Sequence, residues 1–181
     1  MLTDKHILLG VTGGIAAYKA AVLASRLTGE GAIVKTVMTD HATQLVGART
    51  FQAVTGQPVY SSLWHNTSHS SMEHIDLVDW ADACVVAPAT ANIIAKTVHG
   101  LCDDLLSTLL CVAWEAPRLF APAMNTHMWQ NPVTQKNVAQ LTDLNIQLIG
   151  PNDGRLACGT QGPGRMAEPE EILHRIQTLL A

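Results

Sequence analysis

Charge and aromatic rings are what this sequence has little of: Asp, Glu, Lys and Arg make up 14% of its 181 residues, and aromatic residues only 4%. With 48% hydrophobic residues, such a chain is not a disordered segment. No run of Lys or Arg occurs and the formal net charge is −4, which argues against nucleic acid as the main partner. No apolar stretch is long enough to span a bilayer, and residues 1–6 show no secretory pattern. A cytoplasmic location is the expectation. The four cysteines, Cys84, Cys102, Cys111 and Cys158, contain no C-x-x-C pair and no zinc spacing. Reduced thiols are expected, with Cys84 and Cys111, inside apolar runs, read as small core residues. So little charge also leaves little polar surface to cover a monomer, and an oligomer is expected.

What the sequence does have is small apolar residues in alternating patterns. Residues 5–10 read as a buried strand, followed by the turn Val11-Thr12-Gly13-Gly14. A helical pattern runs from Ile15 to Leu27, with Ala16, Ala20, Leu23, Ala24 and Leu27 on one face. Further strands are read at 32–38, 82–87, 118–121 and 146–149, and helices at 103–113, 131–143 and 168–180. Alternating strands and helices predict an α/β chain with a parallel sheet covered on both faces. No linker or repeat divides residues 1–181, so one domain is expected. Two stretches resist assignment: 56–73, rich in Ser and His, and 150–167, with five glycines and two prolines. Loops this long are often functional.

Ligands of open parallel sheets bind beyond the carboxyl ends of the strands. Gly13-Gly14, Thr39, residues 88–92 and residues 122–125 all fall there. Glycines between a strand and a helix N-terminus admit a phosphate, although the turn itself also calls for glycine. Neither G-x-G-x-x-G nor a P-loop Lys-Ser/Thr is present, so a mononucleotide is preferred to NAD or ATP. Asp40 keeps a ribose contact open. Thr90 and Asn92 either cap the next helix or contact a ligand. His65, His69 and His74 are unevenly spaced, and no metal is expected. Cys158 stands in a glycine-rich stretch between arginines, where a thiol is exposed and available for proton transfer.

Together these residues resemble the homo-oligomeric flavin-containing cysteine decarboxylases over essentially the full chain. Pro88-Ala89-Thr90-Ala91-Asn92-Ile93 is similar to the family's P-A-S-A-N-T, departing at Thr90 and Ile93. Pro122–Trp129 matches P-x-M-N-x-x-M-W in full, and Ala157–Met166 matches A-C-G-x-x-G-x-G-R-M in full. The resemblance implies a Rossmann-like (flavodoxin-like) three-layer α/β fold with a central parallel sheet. It implies FMN as cofactor, the phosphate and ribitol near Gly13, Gly14, Ile15 and Thr39. The ring would lie near Thr90, Ala91, Asn92 and Ala123. It also implies His74 as an acid/base residue, Asn125 as a substrate ligand, and the 150–167 stretch, with Arg155, Leu156 and Ala157, as a substrate clamp. Trimers, or dodecamers of four trimers, with FMN at a subunit interface are the implied assembly.

The implied reaction is decarboxylation of 4′-phosphopantothenoylcysteine to 4′-phosphopantetheine in coenzyme A biosynthesis. Direct loss of CO₂ from such a cysteine leaves a carbanion with no electron sink. Hydride removal from Cβ by flavin, with the thiol proton passing to His74 or solvent, makes a thioaldehyde, whose C=S accepts the electrons as CO₂ departs. The resulting enethiol needs hydride back and a proton, a role the resemblance gives to Cys158. Relatives that stop at the enethiol, the peptidyl-cysteine decarboxylases, lack that cysteine. A flavin prenyltransferase and a non-enzymatic phosphatase-inhibitory regulator are the alternatives; the complete motifs count against the first, and His74 with Cys158 against the second.

Overall fold

Each apolar run is followed by a helix that carries the chain back to the same end of the sheet, so successive strands lie parallel. The computed structural model describes residues 1–64 and 73–181. Its first half runs β1 (His6–Val11), α1 (Ala17–Gly29), β2 (Ile33–Met38), α2 (Asp40–Thr43), α3 (Ala48–Thr55), β3 (Val59–Tyr60), α4 (Glu73–Trp80) and β4 (Ala83–Ala89). There follow α5 (Ala91–His99), α6 (Leu105–Val112), β5 (Arg118–Pro122), α7 (Thr126–Gln130), α8 (Pro132–Asp143) and β6 (Ile146–Leu148). The chain ends with β7 (Asn152–Arg155), β8 (Gln161–Arg165) and α9 (Pro169–Leu179).

Strands β1 to β6 make one parallel sheet in the order β3-β2-β1-β4-β5-β6. The chain winds outward from β1 to β3, then restarts beside β1 and winds the other way to β6. That reversal opens a crevice beyond the carboxyl ends of β1 and β4. This is the three-layer flavodoxin-like arrangement. Successive β1 side chains face opposite ways. Ile7, Leu9 and Val11 pack with Leu23 and Leu27 of α1, Phe51 of α3 and Ile172 of α9. Leu8 packs with Ile93 of α5, Leu106 and Leu109 of α6, and Phe120 of β5. Both faces are covered, which is why β1 reads as an unbroken apolar run. Gly10 lets α6 come close: a Cβ there would stand 2.6 Å from Cδ1 of Leu106.

The structure corrects three expectations. The 150–167 stretch is not a loop but an antiparallel hairpin, β7 paired with β8. Its strands escape notice because Gly154, Gly162 and Gly164 have φ of +155°, +150° and +138°, backbone that side-chain-bearing residues avoid and that lacks the usual β-branched signature. Within 56–73, Val59 and Tyr60 pair with β2 as a short edge strand; residues 65–72, with His65 and His69, lie outside the described residues. Cys111 is exposed rather than core, because α6 turns Leu105, Leu106, Leu109 and Leu110 inward and leaves position 111 on the outer face. Cys84 is buried, and burial pushes its thiol up to about 12. Among the described residues no helix is long and apolar enough to cross a membrane.

Candidate functional site

The crevice floor is built from the ends of β1 and β4. Thr12, only 2% exposed, donates its hydroxyl to the Pro88 carbonyl at 2.7 Å and accepts from the Thr90 N–H at 3.2 Å. One buried hydroxyl thereby joins the two strand ends that flank the topological switch. Gly13 is held against α2 so closely that a Cβ there would collide with Cβ of His41. No side chain caps the N-terminus of α1, whose N-cap is Ala16; Ala17 and Lys19 donate their N–H groups to the Gly14 and Ala16 carbonyls, and the positive end of the helix dipole still faces the crevice. Thr39 and Thr90 cap α2 and α5, their hydroxyls accepting from the N–H groups of Ala42 and Ile93. The capping reading of Thr90 therefore holds, and Thr90 also lines the crevice.

Two adjoining clefts share Gly13, Thr90 and Met128 as common walls. The smaller, about 400 Å³, is lined by Thr39, Ala91 and Asn92 and closed by His41, Lys96 and Asp104. Lys96 meets Asp103 and Asp104 at 2.6 Å each. Burial opposes its charge, but the hydrogen bonds to Asp103 and Asp104 outweigh that and raise its pKa. The larger cleft, about 700 Å³, is lined by Gly14, Ile15, Ala123, Asn125 and the hairpin residues Arg155, Leu156, Ala157 and Cys158.

Asn125 follows β5 and caps α7: its Oδ1 accepts from the His127 N–H at 2.7 Å. That bond orients the amide so that Nδ2 points the other way, towards Cys158 Sγ at 3.6 Å. A group held like this keeps its N–H donors on the lining of the larger cleft. Cys158 sits in the tight turn between β7 and β8, closed by Leu156 N–H to Thr160 O and Gly159 N–H to Leu156 O, both at 2.9 Å. Its Sγ lies 3.0 Å from Thr160 Oγ1. Hydrogen bonding with Thr160, then with Asn125, stabilises the thiolate and holds the thiol below the usual cysteine range.

The structure thus gathers Gly13, Gly14, Ile15, Thr39, Thr90, Ala91, Asn92, Ala123, Asn125, Arg155, Leu156, Ala157 and Cys158 around two connected clefts. His74 is apart from them. It stands in the first turn of α4, half-buried, and lines neither cleft. Sequence reading did not single out Lys19, Arg165 and Glu168, which line the larger cleft; only Arg165 carried a signal, inside the Ala157–Met166 motif. Among the described residues no three His, Cys, Asp or Glu side chains are arranged to hold a metal.

The family model described as Flavoprotein matches residues 1–181. The coenzyme A biosynthesis bifunctional protein CoaBC of Bacillus subtilis is 46% identical over 173 residues, 96% of this chain and 42% of that protein. That of Escherichia coli is 44% identical over 172 residues, 95% and 42% of the two lengths. The chain therefore spans less than half the length of these curated relatives. A solved PPC decarboxylase mutant complexed with pantothenoylaminoethenethiol superposes with a TM-score of 0.84 at 35% identity, covering 97% of both chains. The FMN-dependent cysteine decarboxylase SpaF superposes with a TM-score of 0.86 at 34% identity, covering 99% of this chain and 97% of its own. From first residue to last, this chain belongs to the Flavoprotein family.

Proposed function

We propose that this chain, as a single cysteine-decarboxylase domain over residues 1–181, uses FMN to decarboxylate 4′-phosphopantothenoylcysteine to 4′-phosphopantetheine, a step of coenzyme A biosynthesis in the cytoplasm. The observation that carries the reading is the meeting of Asn125 and Cys158, 33 positions apart in the chain, at one cleft with 3.6 Å between them. A carboxylate donor and a thiol of lowered pKa side by side on the cleft lining suit a substrate that loses CO₂ and is then protonated.

The residues present fit FMN. The uncapped N-terminus of α1 beside Gly13 suits its phosphate, and the smaller cleft presents Thr39, Thr90 and Asn92 to its polyol and ring edge. Bound there, FMN supplies a reversible hydride acceptor, so no nicotinamide is needed. Asn125 donates to the substrate carboxylate and orients it for departure. Arg155, Leu156 and Ala157 cover the substrate from the hairpin side. After CO₂ leaves, Cys158 gives the proton that completes reduction, and Thr160 and Asn125 stabilise the thiolate left behind.

His74 is the acid/base residue in this reading, yet it lines neither cleft of its own chain. Apolar Ile15 and Tyr18 stand 63% and 59% exposed at the cleft rim, which supports assembly into trimers, or dodecamers of trimers, where His74 of the partner subunit completes the site. Mixing His74→Asn and Cys158→Ala chains tests this. Mixed oligomers should recover reduced product that neither variant makes alone; no recovery at any mixing ratio speaks against a shared site. The function itself is tested by incubating the FMN-loaded protein with phosphopantothenoylcysteine and weighing the product. CO₂ release with formation of phosphopantetheine is expected; an unchanged substrate sinks the reading.

A further inference from the structure

We propose that Glu168 is the positioning residue that sets where the β7–β8 hairpin, and with it Cys158, stands over the larger cleft. The hairpin has little apolar hold on the body: of its strand residues only Gly164 is buried. Its attachment is polar and converges on the start of α9. One oxygen, Oε1 of Glu168, accepts from Lys19 Nζ of α1 at 2.9 Å and from Arg165 Nη2 of β8 at 2.6 Å. Lys19, 11% exposed, also donates to the Met166 carbonyl at 3.4 Å. The Arg165 side chain runs along β7, with Nη1 3.4 Å from where a Cβ of Gly154 would stand. At the foot of β7, Asn152 Nδ2 donates to Glu171 Oε2 at 2.9 Å, and the same oxygen accepts from the Glu168 N–H at 2.6 Å. Both strands are thus tied to one carboxylate pair, and Glu168 joins them to α1 through Lys19.

The opposite side of the hairpin has a fixed fulcrum. Met124 N–H donates to Gly164 O at 3.0 Å, and a Cβ on Gly164 would collide with the Met124 carbonyl. From Arg165 to Gln161 the strand rises about 13 Å at the usual ~3.3 Å per residue. A tilt of about 10° at the base therefore moves the tip by about 2 Å over that lever. Such a shift breaks the 3.6 Å contact between Asn125 and Cys158. Hydrogen bonds to both cationic partners hold the Glu168 carboxyl below its usual range, in accord with an anchor that stays ionised.

The product arm of the test rests on the proposed function; the thiol arm does not. Glu168→Ala removes the anchor, and Arg165→Met cuts the same contact while sparing the N-cap of α9. For each, the pH profile of Cys158 alkylation by iodoacetamide is followed by peptide mass, so that Cys102 and Cys111 do not interfere. Separately, the ratio of enethiol to phosphopantetheine is measured with FMN-loaded protein. Both variants should move the alkylation profile up towards that of an ordinary thiol and raise the product ratio about fivefold, the equivalent of one lost hydrogen bond. Arg165→Lys, which keeps a donor for Glu168, should return both towards wild type. An unmoved profile, or a moved profile with an unmoved product ratio, overturns the positioning role. If the wild type makes neither product, the proposed function falls while the alkylation arm still decides the anchor.

Discussion

The crevice floor and the hairpin are held by different physics. The floor is backbone and buried hydroxyl: Thr12 between two central strands, and Gly13 pressed on His41, with the core on both faces beneath. The hairpin is a polar attachment at one edge, with an exposed thiol at its tip. A region fixed by packing holds a cofactor rigidly, whereas a few charge-assisted hydrogen bonds hold a part that must admit substrate. Damage to the floor should stop every step; damage to the hairpin should change which product leaves.

The sharpest way to break that contrast is Gly13→Val. Its branched side chain collides with His41, and the purified protein should lose its flavin colour and both CO₂ release and reduction. If it still binds FMN as the wild type does, the floor is not where the cofactor sits. Cys158→Ala is the hairpin counterpart: CO₂ release should continue while a product two hydrogens short accumulates, read by mass. Normal phosphopantetheine formation by that variant would assign the proton to another group.

Phe120→Ala, on the fully buried α6 side of β5, should cost about 3–5 kcal/mol in urea unfolding, with the product mixture of the surviving folded protein unchanged. Gly164→Ala combines a positive φ with the Met124 collision and should raise the share of enethiol without comparable loss of stability. Equal behaviour of these two variants would erase the distinction between the regions.

The smallest effects are in pH. Cys158 is a proton donor only while protonated, and its pKa is lowered by Thr160 and Asn125. The reduced share of product should therefore fall as pH rises through a point below the usual thiol range, and Thr160→Val should move that point upward. For Glu168 the sign is opposite in consequence. Its folded-state pKa is depressed, so its contribution to stability is present above the unfolded carboxyl pKa and lost as pH falls through the folded one. With its side chain 39% exposed, the contribution is screened and small; Glu168→Gln should slightly flatten the acid side of the thermal-unfolding profile.

The alternation of strand and helix, the Gly13-Gly14 turn and the candidate residues at strand ends are legible in the chain because each is written locally, in side-chain period and turn chemistry. Three ordered motifs add the family and, with it, Asn125 and Cys158. Local pattern is also where the reading stops. The glycines that make β7 and β8 possible carry no strand signature, and the outward turn of Cys111 depends on which side of α6 finds the sheet. The separation of His74 from both clefts, and the meeting of Lys19 with Glu168 across 149 positions, exist only once the sheet order is set. The sequence by itself determined the layers, the ligand edge and the candidate residues that gather there. Tertiary structure alone decided how the hairpin is hung over them, because partners so far apart in the chain are chosen by topology and not by spacing.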